Sequence, residues 1–309
     1  MESIRVYAPA TVANVACGFD IFGFAVNHPG DEVVLTKSAT PGIRIKEITG
    51  DDGRLPKEVS KNTAGIAIIK YLEHIGQADQ GFELSLHKDM PLGSGLGSSA
   101  ASAVAGVFAA NELMGKPLSQ KELLPFAMEG ERVACGSAHA DNVGPSLLGG
   151  FVIIRSYDPL DIIQIPTPAN LYASIVHPQI EVNTKDARSI LEREITLGKT
   201  ITQMGNVAGL VAGLLLPDFD LIGRSLVDVI IEPARAILIP QFDVVKAAAL
   251  EAGALGCSIS GSGPSLFALS AGKETAERVA AAMAAGFNQV GIGTEEYVSE
   301  INQQGPMIR

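Results

Sequence analysis

The stretch Pro91-Leu92-Gly93-Ser94-Gly95-Leu96-Gly97-Ser98-Ser99-Ala100-Ala101 constrains this chain more than any other part of it. Three glycines and three serines fall within positions 93–99, and a run of small and apolar residues follows from Ala100 to Ala110. Glycine opens backbone dihedrals closed to other residues and lets the chain come close to a ligand. The apolar run predicts a helix, with Ser98 or Ser99 as its N-cap. A loop of bare amides feeding a helix N-terminus is an anion site, because the unpaired N–H groups and the helix dipole both favour negative charge. The anion expected here is a nucleotide polyphosphate. A plain Gly/Ser turn capping a buried helix is the rival reading. No lysine stands in the loop, so it is not a Walker A sequence. Nor does it open the chain as a dinucleotide fingerprint would.

Taken together, Pro91, Gly95-Leu96-Gly97-Ser98-Ser99 and Ala100-Ala101 resemble the phosphate-binding motif of the GHMP small-molecule kinases. Two further segments agree in order and spacing. Ala8-Pro9-Ala10-Thr11-Val12-Ala13-Asn14, leading into Gly18-Phe19-Asp20, resembles the opening motif of the homoserine kinases within that family. Ser260-Gly261-Ser262-Gly263-Pro264-Ser265 resembles the family's third motif. The resemblance implies ATP as phosphoryl donor, Mg²⁺ as its counter-ion and L-homoserine as the acceptor. It also implies an α+β fold of two parts: a ribosomal-S5-like N-terminal domain and a ferredoxin-like C-terminal domain, with the site between them.

Composition sets limits. A chain of 309 residues is long enough for two domains with sizeable cores. The net charge of −11, with no lysine- or arginine-rich block, disfavours nucleic acid and anionic membranes as partners. The longest apolar run, 207–216, stops at Pro217 and is too short to span a bilayer. No charged-then-apolar leader is evident. Cys17, Cys135 and Cys257 are far apart and have no metal-site spacing, so a reduced, cytoplasmic location is expected. A homodimer is compatible with all of this and is not fixed by it.

Strands are predicted at 4–12, 31–37, 43–48, 82–87, 151–155, 171–176, 257–260, 265–269 and 295–301, from β-branched content and alternation. Helices are predicted at 62–75, 121–135, 186–197, 201–215, 241–252 and 274–286, besides the one after the loop. The link Pro166-Thr167-Pro168 places a domain boundary there, giving 1–168 for ATP and 169–309 to complete the substrate site. This mixture of elements reads as α+β.

A second constellation follows the loop helix: Glu131, Ser137, His139, Asp141, Asn142, Gly144 and Pro145. Phosphoryl transfer needs a cation on the triphosphate and hard oxygen atoms to hold it. Glu131 and Ser99 are the expected Mg²⁺ ligands. The resemblance favours Glu131 over Glu129 by its place relative to His139-Ala140-Asp141-Asn142. Asp141 reads as a general base or as a substrate contact. In mevalonate kinases and galactokinases such an aspartate has a basic partner in the N-terminal motif; here the comparable residue is Thr11. The resemblance to homoserine kinases implies direct transfer, with Asn142 orienting the hydroxyl. His139 is either a substrate contact or a structural histidine.

An amino acid presents a carboxylate and an ammonium. Arg188 and Arg235, whose segments match the homoserine kinase pattern, are the expected carboxylate ligands; ion pairs with Asp186 and Glu232 are the rival. Asn14 and Asp20 are expected at the ammonium, and Gly261 at the substrate by backbone approach. Asn62 is expected at the nucleotide, with a helix N-cap as the alternative. Read as a whole, the sequence predicts phosphorylation of L-homoserine. The alternatives are another family kinase, such as one of the mevalonate pathway, and a kinase-fold sensor that binds without turnover.

Overall fold

The computed structural model describes residues 2–136 and 138–309. Its first half contains strands β1 (Ser3–Ala13), β2 (Phe22–Ser38) and β3 (Ile43–Thr49), helix α1 (Thr63–His74), strand β4 (Gly81–His87), and helices α2 (Ser98–Leu113), α3 (Leu124–Cys135) and α4 (Ala140–Leu148). Strands β5 (Phe151–Tyr157), β6 (Leu160–Ile165) and β7 (Leu171–Pro178) follow, then helices α5 (Thr184–Ser189), α6 (Leu197–Leu215), α7 (Phe219–Ser225), α8 (Glu232–Arg235) and α9 (Phe242–Glu251). The chain ends with β8 (Gly256–Ile259), β9 (Leu266–Ala271), α10 (Lys273–Asn288), β10 (Thr294–Glu300) and β11 (Met307–Ile308).

Among the described residues the strands form two sheets. The larger runs β11-β1-β2-β4-β3, with β5 pairing the start of β2 and β6 pairing β5. A register shift in β1 between Pro9 and Thr11 lets β2 pair β5 through Phe22–Phe24 and β4 through Glu32–Ser38. Such a bulge re-aims the strand and its side chains. The smaller sheet runs β10-β7-β9-β8, wholly antiparallel. Numbered within itself that order is 4-1-3-2, the arrangement of a ferredoxin-like unit.

Helix α2 is buried on nearly every side, as a helix apolar all round must be. Its small residues let neighbours press in: a Cβ at Gly106 would stand 3.1 Å from the Cβ of Ala64 on α1. On the smaller sheet α10 buries Ala276, Val279, Ala280, Met283 and Phe287, a helical spacing with one apolar face. Phe24 of β2 and Phe267 of β9, both fully buried, meet edge to face at 5.8 Å and join the two sheets in one apolar cluster.

The sequence expectation of α+β architecture agrees with this fold, and two local expectations are corrected. The N-cap of α2 is Gly97, in a left-handed conformation, rather than Ser98 or Ser99, which are already helical. The helix expected over 186–197 stops at Ser189, and α6 restarts at Leu197 after an N-cap bond from Thr196. Residues 188–190 and 192–194 are exposed, and propensity without an apolar face to bury does not hold a short helix. Among the described residues no helix is long and apolar enough to cross a membrane.

Candidate functional site

A cavity of about 650 Å³ opens between the two sheets' helical and loop insertions. Its wall includes Asn14, Asp20, Asn62, Leu92, Gly93, Ser94, Gly95, Leu96, Gly97, Ser98, Ser99, Glu131, His139, Asp141, Asn142, Arg188, Arg235 and Gly261. The remaining motif residues lie outside it. Ala100 and Ala101 are fully buried in the core, and Pro91 is half-buried beside the loop. Ser137 and the side chain of Cys135 lie outside the described residues.

The glycine loop is fastened on three sides. The Thr11 N–H donates to the Leu96 carbonyl at 3.0 Å, and the Ser265 N–H donates to Ser94 O at 3.2 Å. The Ser260 hydroxyl donates to Gly95 O at 2.8 Å. A Cβ at Gly95 (φ +78°) would stand 2.4 Å from Ser260 O, so only glycine lets the loop lie against the third motif. At Gly97 (φ +71°) a Cβ would stand 2.1 Å from the Thr11 hydroxyl and 2.9 Å from Asn142 Oδ1. Those two atoms are themselves bonded, with Thr11 Oγ1 donating to Asn142 Oδ1 at 2.8 Å. Thr11, the residue found where a basic partner to Asp141 would be expected, therefore orients Asn142 instead.

Below the loop is an ion pair that sequence reasoning missed. Lys88 and Asp31, side chains 2% and 1% exposed, pair directly. Lys88 Nζ also donates to Ser98 O at 2.9 Å and to the Ser102 hydroxyl at 2.6 Å. Asp31 accepts from the Asp89 and Met90 N–H groups and from the Ser98 hydroxyl. The pair thus clamps both ends of the loop. Asp31 and Lys88 lie 57 residues apart, and no local pattern links them.

Helix α4, also missed, puts Asp141 and Asn142 in its first turn with His139 as N-cap. Pro145 within it lacks the N–H that would bond the Asp141 carbonyl. Gly23 packs against that carbonyl instead, where a Cβ would stand 1.9 Å away. The Asp141 side chain is 2% exposed and its Oδ1 has no hydrogen-bond partner among the described residues. Burial, helped by the Asp20 charge, pushes its pKa up to about 7. Burial holds the His139 imidazole below its ordinary value.

The acidic candidates separate cleanly. Glu131 is 3% exposed and lines the cavity. Glu129 pairs with Arg132 at 2.8 Å on the surface. Asn62 is the N-cap of α1, accepting from Ala64 N at 3.1 Å and Gly65 N at 3.3 Å, and it also borders the cavity. Cys17 and Cys257 are buried, and burial pushes both thiols up to about 12.

Neither arginine makes the ion pair that competed with a ligand role. Arg188 pairs with Asp20. Arg235, 4% exposed, donates Nε to Ala187 O at 3.1 Å and Nη1 to Gly261 O at 2.8 Å. Glu232 pairs with Lys246 and accepts from Ser258 instead. Asn14 Nδ2 donates to Gly261 O at 2.8 Å, and its Oδ1 accepts from the Asp20 N–H at 3.1 Å. Asn14, Val15, Ala16 and Asp20 all have φ between +43° and +73°. A β-branched residue there is a genuine outlier, and strain of this kind collects at functional loops.

The family profile described as GHMP kinases N terminal domain matches residues 62–150, and GHMP kinases C terminal matches 210–289. The chain belongs to the GHMP kinase family. Within that family it is 63% identical to a homoserine kinase of Cytophaga hutchinsonii of known crystal structure, at a TM-score of 0.98, covering 100% of this chain and 98% of that one. It is 53% identical to the homoserine kinase of Chlorobium phaeobacteroides over the whole of both chains. The homoserine kinase of Chlorobium phaeovibrioides is 54% identical, again over 100% of each.

Proposed function

We propose that this GHMP kinase transfers the γ-phosphoryl group of ATP to the side-chain hydroxyl of L-homoserine, giving O-phospho-L-homoserine and ADP, a step of threonine biosynthesis. The observation that carries the reading is the convergence of Arg188 and Arg235 on the cavity that also holds the glycine loop. A nucleotide triphosphate and an amino acid carboxylate then share one chamber. Residues 1–168 supply the nucleotide side, and residues 169–309 supply both arginines. The cysteines and the chemistry suit a cytoplasmic enzyme.

In this reading the loop amides and the N-terminus of α2 hold the phosphates, and Asn62 borders the nucleotide. The arginines take the carboxylate; Asn14, Asp20 and Asp141 surround the ammonium, with His139 and Gly261 on the same wall. Thr11 occupies Oδ1 of Asn142, so its amide N–H₂ is the group left to orient the ligands. The hydroxyl oxygen attacks the γ-phosphorus, the bond to the bridging oxygen of ADP breaks, and the hydroxyl proton passes to a phosphoryl oxygen. A loose transition state needs alignment more than deprotonation, so no dedicated base is required. A carboxyl raised to about 7 is itself compatible with base work, so the argument against a base rests on Thr11, which stands where such an aspartate would need a basic partner.

The residues present fit Mg²⁺. Glu131 and Ser99 offer two hard oxygens on the cavity wall, and the described residues contain no group of three or more metal-binding side chains. Mg²⁺ is commonly held that way, by one or two carboxylates with phosphate oxygens and water completing the shell. The ion would neutralise the triphosphate. Glu131→Gln should keep the fold and raise the Mg²⁺ requirement, with turnover down about a hundredfold.

A coupled ADP-release assay across homoserine, mevalonate, galactose and shikimate tests the proposal. Homoserine should exceed the others in kcat/KM by several orders of magnitude. A preference for mevalonate would assign the chain to another branch of the family, and no turnover with any acceptor would favour a sensor.

A further inference from the structure

Phe19 lies close to both arginines. The Arg235 guanidinium carbon lies 5.0 Å from the centre of its ring and that of Arg188 5.5 Å. Both distances are within the range where a cation is attracted to a ring face. The ring is half-buried and borders the cavity. Two like charges so close repel one another, and Asp20 compensates Arg188 through a direct pair while Arg235 receives only backbone carbonyls. Arg235 therefore borders the chamber with no carboxylate bonded to it, although the charges of Asp20, Asp228 and Asp141 act on it. An aromatic face solves the placement problem that this creates. It stabilises a planar cation through its flat side without spending N–H donors, so Nη2 of Arg235 and Nε and Nη1 of Arg188 are left for a carboxylate.

The segment that delivers the ring is itself held firmly. The Gly18 N–H donates to Asn14 O at 2.8 Å, the Asn14 N–H to Phe22 O at 2.7 Å, and the Tyr157 hydroxyl to Asp20 O at 2.7 Å. Left-handed residues at 14, 15, 16 and 20 are thus over-determined by their bonds, and Phe19 is carried to a defined place.

We infer that Phe19 is a positioning residue for substrate recognition, its ring holding Arg188 and Arg235 side by side so that both engage one substrate carboxylate. This rests on reading the two arginines as carboxylate ligands. Phe19 also borders a second, largely apolar cavity of about 610 Å³ with Cys17 and Ile21 on its wall.

The test compares homoserine with the amino diol made by reducing its carboxylate to an alcohol. The quantity read is the ratio of kcat/KM for the two acceptors, because general damage to the enzyme lowers both and leaves the ratio alone. Wild type should favour homoserine strongly. Phe19→Leu should shrink that preference about tenfold, mostly through KM for homoserine, with KM for ATP unchanged. Phe19→Tyr, which keeps a ring face, should restore it. A leucine variant with an undiminished ratio overturns the inference about Phe19 alone, as does a tyrosine variant that behaves like leucine. A wild type indifferent to the carboxylate overturns the arginine reading, and the role of Phe19 with it. Phe19→Met repeats the measurement if circular dichroism shows the leucine variant unfolded.

Discussion

Asp141 and Asn142 are neighbours in the first turn of α4, yet their surroundings assign them different work. The Asp141 carboxyl is raised from 3.8 to about 7, chiefly by burial. A raised acid pKa means that the folded state binds a proton which the unfolded state has lost between those two values, so this group makes stability fall as pH rises through that window. Asp141→Asn removes the effect. Relative to wild type, the variant should gain roughly 2–4 kcal/mol between pH 4.5 and pH 8 in urea unfolding. A flat difference across that range would mean that Asp141 is ionised in the fold. In the absence of a dedicated base, Asp141→Asn should keep measurable turnover, with part of the loss in KM for homoserine. Asn142→Leu should harm kcat more, since leucine cannot orient the hydroxyl toward the γ-phosphate. Undetectable turnover in a folded, ATP-binding Asp141→Asn enzyme would restore the base mechanism. Arg235→Leu should cost about 2–4 kcal/mol in kcat/KM for homoserine and spare KM for ATP. Equal effects on the two substrates would make the arginine structural.

At the scale of the element, the glycine loop is only as well placed as its clamp. Lys88→Met leaves Asp31 charged and buried, a loss of about 3–5 kcal/mol. The expected result is a lowered melting temperature together with a raised KM for ATP, because Lys88 reaches the Ser98 carbonyl at the start of α2. A variant that melts early but binds ATP as tightly as wild type would uncouple the clamp from the loop. The sequence made the loop legible because glycine and serine encode backbone geometry and capping within a few residues. Most strands, with α1 and α10, were legible by their periodicity and α2 by its unbroken run of small apolar residues, whereas β6, β11 and the first half of β2 were not anticipated. Thr11 with Asn142, Lys88 with Asp31, and Phe19 with two arginines were not, since each joins residues that only the folded chain brings together. Helix α4 escaped because Gly144 and Pro145 are read locally as breakers. In the fold, Gly23 packs on the carbonyl that Pro145 leaves open. The over-extended helix at 186–197 is the converse case, with favourable propensity and nothing to pack against.

At the scale of the whole molecule, two sheets in one chain ordinarily suggest modules joined by a modest and rather polar interface. The contacts here argue for a single cooperative unit. Phe24 and Phe267 meet across the sheets at 5.8 Å, within a cluster that also contains Ala173, Ile175 and Leu269. Val26 bridges to Ile301 in antiparallel fashion at the end of β10, and the Asn27 N–H donates to the Ser299 hydroxyl at 2.8 Å. The chain then returns to the larger sheet, where β11 pairs β1 and the Arg309 guanidinium lies 4.1 Å from the centre of the Tyr7 ring. Calorimetry should therefore record one transition, raised by a nucleotide and by homoserine separately, because each ligand stabilises the same folded unit. Phe267→Ala removes an aromatic ring from the seam at a cost of about 3–5 kcal/mol. At a few degrees per kcal/mol for a chain of this size, that is a fall of roughly 10 °C. The transition should stay single, because the cluster loses one member and the strand bridges remain. Two resolved transitions in the wild-type enzyme, only one of them responding to nucleotide, would show that the sheets fold independently and that the site is assembled by docking.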